Sequence, residues 1–579
     1  MKEAFKHLSW FFKREWKTYL ICMILLLLVS IIPLIPAKIL GMAIDDISMG
    51  LITLPGVFKY AFLLFICPFL TYLLNIIYHY TMSKLGHKLS YELREHYIIH
   101  LFIMDDALYE KYTKGDLISR ATNDLNNLTS LATTFLQNVI FYSATIITAV
   151  ILMVSISPSL TLASVAFMPI VIFVLNRIRL EKRKYYKIHH EIYGAMTESV
   201  LESIEGVKTV RAYGYEEQDF EKTKKAITAD VNSWWKIQKF ESVFSPLFEL
   251  VYAVAYFIAI GFGTYQVING MVSPGNLVSY LVYVGTLYSP LIGLSNILNI
   301  MNNIVIADTR FNEIMNSTPE VIDGGNSDKI SDFQSLTFSN VTFRYPGSDI
   351  DTITNINFTI NKGETIGIVG PTGGGKSTLI KQILREFNPT CGDIYLNDKN
   401  IKEYRIEDVR SLVGYVPQNH ILFRRSVLDN ILIGKLDASK SEIDMAMEIA
   451  DFKKDLSILS DGTGTMVAEL GESLSGGQRQ RLSIARALVK DPEILILDDS
   501  LSAVDALTES NIIGKLKTFR SNKTNIIIAH RFSALENADK IIVVEDGMIT
   551  DINSPQKLLE YDNWYKRQYE EQLKGDSHE

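Results

Sequence analysis

The chain has 579 residues, 47% of them hydrophobic, and a formal net charge of −8, a length that calls for several domains. No basic patch interleaved with aromatics accompanies that negative balance, which excludes the electrostatic footprint of a nucleic-acid binder. Three cysteines, Cys22, Cys67 and Cys391, stand in no ligand spacing, so neither a disulfide framework nor a zinc site is expected, and Cys391 reads as an unpaired, reduced thiol in a cytosolic domain.

Residues 6–20 read KHLSWFFKREWKTYL. Basic residues mixed with Trp10, Phe11, Phe12 and Trp16 fit an amphipathic helix at a membrane surface, and a plain basic flank of the first span would look similar. The apolar run that follows is too long for the core of a signal peptide. Six candidate spans are read at 19–44, 58–80, 136–156, 160–174, 245–267 and 277–304, against the roughly 20 apolar residues needed to cross hydrocarbon. The fourth is short by that count, so its cytosolic end is expected to continue as helix.

Three connections, 45–57, 157–159 and around 269–275, are short and contain no Lys or Arg. Two, 81–137 and 175–244, are long and basic, the second holding Arg177, Arg179, Lys182, Arg183, Lys184 and Lys187 in its first turns. Positive charge stays on the cytosolic side, so both termini are expected inside a multi-pass protein of the cytoplasmic membrane. The long connections read as helical hairpins with tips at 112–124 and 211–220, each with a glycine where the helix must break. Glu249 lies within a span and suits a cavity, either on a substrate pathway or at an interface. Asn296, Asn299, Asn302 and Asn303 recur down the sixth span, where interhelical hydrogen bonds are the ordinary explanation.

Residues 1–321 therefore read as a membrane domain, 322–332 as a Gly/Asn/Ser/Asp-rich linker, and 333–579 as a soluble α/β domain. There NINFTINKGETIGIVG alternates like a strand and runs into GPTGGGKST, followed by the helical TLIKQILREF. This is the phosphate-binding loop pattern, comprising Gly370, Pro371, Thr372, Gly373, Gly374, Gly375, Lys376, Ser377 and Thr378. Its glycines let backbone N–H groups curl around phosphate at a helix N-terminus. Lys376 would reach the β- and γ-phosphates of ATP and Ser377 would ligate Mg²⁺.

Further on, Ile494, Leu495, Ile496 and Leu497 form an unalternating apolar run that ends in Asp498 and Asp499. A run of that kind fits a strand covered on both faces, with its carboxyl end in a ligand crevice. By itself it would equally be a strand with an acidic turn. Beside a phosphate-binding loop, Asp498 becomes the acid that holds the Mg²⁺ shell.

Between these elements lies LSGGQRQRLSIARAL. With that combination the chain resembles an ATP-binding cassette (ABC) exporter of the half-transporter type over essentially its whole length. The fold class implied is a multi-domain membrane protein: an all-α six-helix transmembrane domain with long cytosolic helical extensions, followed by an α/β P-loop cassette. The resemblance makes Tyr345 the adenine-stacking aromatic, which would otherwise be a strand aromatic. It makes Gln418 the residue that senses Mg²⁺ and the attacking water, and His530 the switch histidine, otherwise a core histidine. It implies a dimer, with Ser475, Gly476, Gly477 and Gln478 contacting ATP held by the opposite subunit and Ser502 to Asp505 crossing the interface. The tips around Gly115 and Tyr213 correspond to coupling helices.

One residue departs from the family pattern. Where exporters carry a catalytic glutamate after the metal-shell aspartate, this chain has Asp499. A side chain one methylene shorter stands roughly 1–1.5 Å back from an attacking water, and a misplacement of about 1 Å can cost on the order of 10²-fold in rate. The departure resembles the degenerate half of a heterodimer whose partner half-transporter supplies the glutamate; a homodimer with Asp499 as a slow base is the alternative. The implied activity is ATP-driven export of a small amphiphilic substrate across the lipid bilayer of the cytoplasmic membrane by alternating access, drugs before lipids or peptides, with an ATP-gated channel or regulatory subunit as the rival class.

Overall fold

Ala4, Leu8 and Phe11 recur at helical spacing along the N-terminal segment, and all three are buried, while Lys13 and Arg14 remain in solvent. The segment forms two short helices, Lys2–His7 and Ser9–Arg14, amphipathic as the sequence suggests. The structure, a computed structural model, describes residues 1–165, 168–324, 330, 332–468, 471 and 473–576. It comprises two compact units, one of Met1–His100 with Gly115–Asn316 and one of Leu101–Lys114 with Ser317–Glu579.

Among its described residues the first unit is built of helices joined by short turns, with no strand. Pro33 and Pro36 lack the N–H groups a continuous helix requires, and the first span accordingly divides into Trp16–Ile31 and Ile35–Ser48 around a 3₁₀ turn at Ile32–Leu34. A single helix, Leu54–Ile103, then carries the second span on into the first long connection over 50 residues, roughly 75 Å at 1.5 Å per residue. Leu136–Ile156 is the third. The fourth begins with Pro158–Val165 and resumes at Met168–Glu205; residues 166 and 167 of the expected span 160–174 lie outside the described residues. Glu216–Ile268 forms the fifth over 53 residues, and Pro274–Thr286 with Tyr288–Met315 the sixth. Among the described residues, five helical stretches are long and apolar enough to cross a membrane.

The two hairpin tips differ from each other. At the second, Gly214 takes φ +61 between Val207–Ala212 and Glu216–Ile268, the left-handed turn a glycine accommodates without cost. At the first, Gly115 is not a breakpoint. It sits inside the helix Lys114–Ser119, and the chain bends before it, at Asp105 and Tyr112, both extended, on either side of the helix Asp106–Lys111. Asp105 stabilises that bend by accepting hydrogen bonds from the backbone N–H groups of Glu320 and Val321, at 2.5 and 2.9 Å. Glu249 and the four asparagines of the sixth span are exposed on the single chain. Among the described residues those asparagines make no side-chain hydrogen bond to another helix, contrary to the sequence expectation.

The second unit is α/β. Of its strands, β1 (Ser335–Phe343), β2 (Ile353–Asn361), β4 (Cys391–Leu396) and β5 (Lys399–Asn400) form an antiparallel sheet in the order β2-β1-β4-β5. The larger sheet runs β10-β9-β3-β8-β7-β6 and joins β3 (Thr365–Val369), β6 (Val413–Val416), β7 (Ile494–Asp498), β8 (Thr524–Ile528), β9 (Lys540–Glu545) and β10 (Met548–Asn553). All its pairs are parallel except β9 with β10. In β7, Leu495 and Leu497 pack into one hydrophobic core while Ile494 and Ile496 pack into another. The unbroken apolar run thus buries both faces, as a parallel strand between layers requires. Of the expected linker 322–332, residues 325–329 and 331 lie outside the described residues.

Candidate functional site

β3 ends in the loop 370–375, whose shape depends on two glycines. Gly370 has φ +151, and a Cβ there would stand 1.9 Å from the Val544 carbonyl oxygen; Gly375 has φ +99, and a Cβ would meet Ile353 Cγ2 at 2.8 Å. No side chain fits at either position. The loop delivers the chain into the helix Lys376–Ile383, whose first turns present free N–H groups. Lys376 is buried, and its Nζ donates to the carbonyl oxygens of Gly370 and Pro371, both at 2.8 Å. Burial lowers its pKa from the ordinary lysine value, while the carboxylates of Asp498 and Asp499 act in the opposite direction. A buried ammonium over a ring of backbone N–H groups is a cradle for a polyphosphate.

Across the cleft, Asp498 ends β7 and is also buried. Its two oxygens accept hydrogen bonds from Ser377 Oγ at 3.3 Å and Tyr415 Oη at 3.4 Å. Burial pushes its pKa up, and those two donors draw it back. A carboxylate and a hydroxyl oxygen facing each other at the mouth of the loop form a hard-oxygen donor set that suits Mg²⁺. Asp499 adopts φ +47, and its N–H donates to the Ile528 carbonyl at 3.0 Å. That contact turns its side chain toward Gln418, whose Nε2 donates to Asp499 Oδ2 at 3.4 Å.

One cleft of about 280 Å³ is lined by Thr372 to Thr378, Gln418, Asp498, Asp499 and His530 together. Tyr345 stands at its margin, its hydroxyl 3.2 Å from Thr378 Oγ1 and its ring beneath Lys381 Nζ at 5.2 Å. Ser475 to Gln478 are not among the lining residues. They open the helix Gly476–Leu488 through a capping box, Ser475 Oγ accepting from the Gln478 N–H and Gln478 Oε1 from the Ser475 N–H. Gln480 of that helix accepts from the Ala503 N–H at 3.1 Å, Ser502 Oγ donates to the Asp499 carbonyl, and Asp505 caps the helix Ala506–Phe519. The segment 502–505 thereby links the strand-end acids to the Ser475 helix. Tyr213 is 82% exposed, in the first unit.

Sequence reasoning missed Tyr415, Thr352 and Lys381. Tyr415 pairs in register with Ile496 on the neighbouring strand, which sets it on the same face as Asp498. Only the pairing of two strands some eighty residues apart makes that visible. It missed a second constellation as well. Asp106, in the helix that interrupts the first long connection, hydrogen-bonds Glu386 just beyond the loop's helix. Burial, reinforced by Asp106, pushes Glu386 up to about 7, while Lys381 and Arg410 hold it down. Lys381 also faces Glu110 at 3.8 Å. An acid in REFNP has no sequence signal that marks its partner.

Residues 19–291 match the ABC transporter transmembrane region, and residues 353–502 match the ABC transporter family model. The probable multidrug resistance ABC transporter ATP-binding/permease protein YheI of Bacillus subtilis is 38% identical over 99% of this chain and 98% of its own length. The multidrug resistance-like ATP-binding protein MdlA of Escherichia coli is 32% identical over 98% of this chain and 96% of its own. The solved structure of a bacterial Atm1-family ABC exporter with ATP bound shares the fold, with a TM-score of 0.81 at 24% identity over 96% of this chain and 99% of that one. With a helical membrane region and a phosphate-cradling cassette on one polypeptide, this chain belongs to the ABC transporter family as an exporter half-transporter.

Proposed function

We propose that this chain is one half of a heterodimeric multidrug exporter, and that its own ATP site binds nucleotide well but hydrolyses it slowly. Asp499 carries the reading. It follows the metal-shell acid at the end of β7 and shares one cleft with Lys376, Gln418 and His530, so it stands where a general base would act. Its shorter side chain holds the carboxylate back, and its contact with Gln418 is long, at 3.4 Å. The loop 370–378 grips the phosphates, Lys376 neutralises the β- and γ-oxygens, and Tyr345 stacks on adenine. Ser377, Asp498 and Gln418 would hold Mg²⁺, which neutralises phosphate charge when bound. The intact Ser475 to Gln478 segment completes the partner's competent site.

Both termini and the cassette are cytosolic in this reading, as the basic long connections support. The exposed asparagine row of the last span and Glu249 face the path between the two halves. The names of the multidrug relatives support amphiphilic compounds as substrates. A homodimer using Asp499 as its base is the second reading, favoured by the carboxylate that Asp499 still supplies to the cleft it shares with Lys376 and His530.

The test is ATPase activity of the purified chain alone and co-purified with a half-transporter carrying Glu at the position of Asp499. Slow turnover alone, fast turnover together and a gain on Asp499→Glu of up to about 10²-fold are expected. Fast turnover by the chain alone that Asp499→Asn abolishes would establish the homodimer instead.

A further inference from the structure

Asp455 and Arg481 are 3% and 8% exposed and form a bidentate ion pair, in which Arg481 Nε and Nη2 donate to the two carboxylate oxygens at 2.7 and 2.8 Å. Taking both charges out of water is costly, and an apolar pair of similar volume is often as stable. Stability alone therefore does not account for it, and its position does. Arg481 lies in the helix Gly476–Leu488, and its remaining nitrogen, Nη1, would stand 3.1 Å from a Cβ at Gly477. The guanidinium thus backs the second glycine of the segment Ser475–Gln478. The same Cβ would stand 3.4 Å from the Ala503 carbonyl oxygen, and one at Gly476 would meet Ala503 Cβ at 3.7 Å. Lys454, the residue before Asp455, reaches the element that follows Ala503. Its Nζ donates to Thr508 Oγ1 at 2.6 Å. Thr508 is buried, and its hydroxyl and N–H donate to the Asp505 carboxylate at 2.8 and 3.0 Å. Two consecutive residues of one short helix, Lys453–Leu456, therefore hold both the Ser475 helix and the segment 502–505.

We propose that Lys454 and Asp455 are positioning residues for the ATP held by the opposite half, acting through Arg481 and Thr508. The proposal rests on the reading that Ser475 to Gln478 complete the partner's site. Asp455 fixes the Arg481 guanidinium, and Arg481 sets where the Gly477 backbone stands. Lys454 fixes Thr508 and with it Asp505, so the two segments keep one register relative to each other. A site that must meet a nucleotide from across an interface needs that register held by locked side chains behind it. Neither Lys454 nor Asp455 is among the residues lining the cleft at the loop 370–378, so their effect falls on the partner's nucleotide and not on this chain's own. A buried ion pair retained for register, where apolar residues would serve stability as well, has this use.

The experiment is photolabelling of the full-length complex in nanodiscs with subsaturating 8-azido-ATP, the partner being a half-transporter with Glu at the position of Asp499. The two chains are separated on a gel, so that each reports the nucleotide held by its own loop. The variant is Asp455→Leu/Arg481→Met, which removes both charges together and leaves no unpaired ion in the core. Its unfolding temperature should stay within about 4 °C of the wild type. Label on the partner chain should fall about tenfold or more, while label on this chain changes less than about twofold. Lys454→Met should lower the partner's label about threefold, the value of one hydrogen bond. Equal losses on both chains, or failure of the apolar pair to fold, would make the ion pair an element of stability and overturn the proposal. Gly477→Asp provides the reference. If it removes the partner's label and the apolar pair does not, the positioning role falls and the two-site reading stands. If Gly477→Asp itself leaves the partner's label unchanged, that reading falls, and the positioning role with it.

Discussion

At the scale of single residues the cleft divides into positions of shape and positions of charge. Gly370 is a position of shape. Its φ of +151 and the 1.9 Å approach to Val544 leave no room for a methyl group, so Gly370→Ala should destabilise the cassette by about 2–4 kcal/mol, read as a fall in thermal unfolding temperature. Tyr345 combines both roles, with a face that meets Lys381 on one side. Removing an aromatic platform of this kind costs about 1–2 kcal/mol, so Tyr345→Ala should weaken ATP binding about tenfold. Tyr345→Trp should preserve it, and an equilibrium titration with a fluorescent ATP analogue distinguishes the two. The loop was legible from local spacing, because a phosphate loop is built from consecutive residues, whereas the role of Tyr345 came only with the family resemblance. Tyr415 was not, because its place beside Asp498 depends on strand register.

Secondary elements tell a different story at the first hairpin tip. Glycine marks a break only where the backbone needs a positive φ, and Gly115 has none; nothing approaches the site of its missing Cβ within 4 Å. Gly115→Ala should therefore stabilise the helix Lys114–Ser119 by up to about 1 kcal/mol, whereas Gly214→Ala, at φ +61, should destabilise by a similar amount. Circular dichroism melts of the two variants would separate them.

The neighbouring helix Asp106–Lys111 carries the acid that meets Glu386. Glu386 ordinarily ionises at 4.5 and is raised to about 7 here. A group raised in the folded state contributes stability fully present below the unfolded pKa and lost as pH rises through the folded one. Between about pH 4.5 and 7 this site should thus lose on the order of 2 kcal/mol, less than the full shift because Lys381 and Arg410 remain partly hydrated. Thermal melts across that range should show the loss in the wild type and its absence in Glu386→Gln.

On the scale of the whole molecule, the chain holds half of each of two nucleotide sites in the proposed heterodimer. Its loop and strand-end acids serve one, and the Ser475 segment serves the other. The two halves should therefore respond differently to mutation. In the co-purified complex, Gly477→Asp should lower ATPase activity by about 10²-fold or more, since it sets a carboxylate against the partner's nucleotide. Asp499→Asn in the same chain should change turnover by less than about twofold, because its own site contributes little. The steady-state ATPase rate of the complex in nanodiscs reads both. Equal losses from the two substitutions would mean two equivalent sites.

What the sequence determined by itself was everything written in short-range order. Six apolar stretches, the charge bias of their connections, the loop 370–378, the signature from Ser475 and the acids 498 and 499 each lie within a few neighbouring residues, where composition, periodicity and spacing are visible. Tertiary structure decided what depends on distant residues meeting. Register across β6 and β7 brought Tyr415 to Asp498, and the backbone turn at Asp499 brought its carboxylate to Gln418. The fold of the first connection moved the bend from Gly115 to Asp105, because an extended aspartate held by two backbone donors ends a helix more firmly than a glycine that helix can absorb. Among the described residues, the packing of the N-terminal helices against the first spans left the hydroxyls of Tyr19 and Tyr78 without hydrogen-bond partners. Local patterns record what a segment can form; only close approach records which of its polar groups are satisfied.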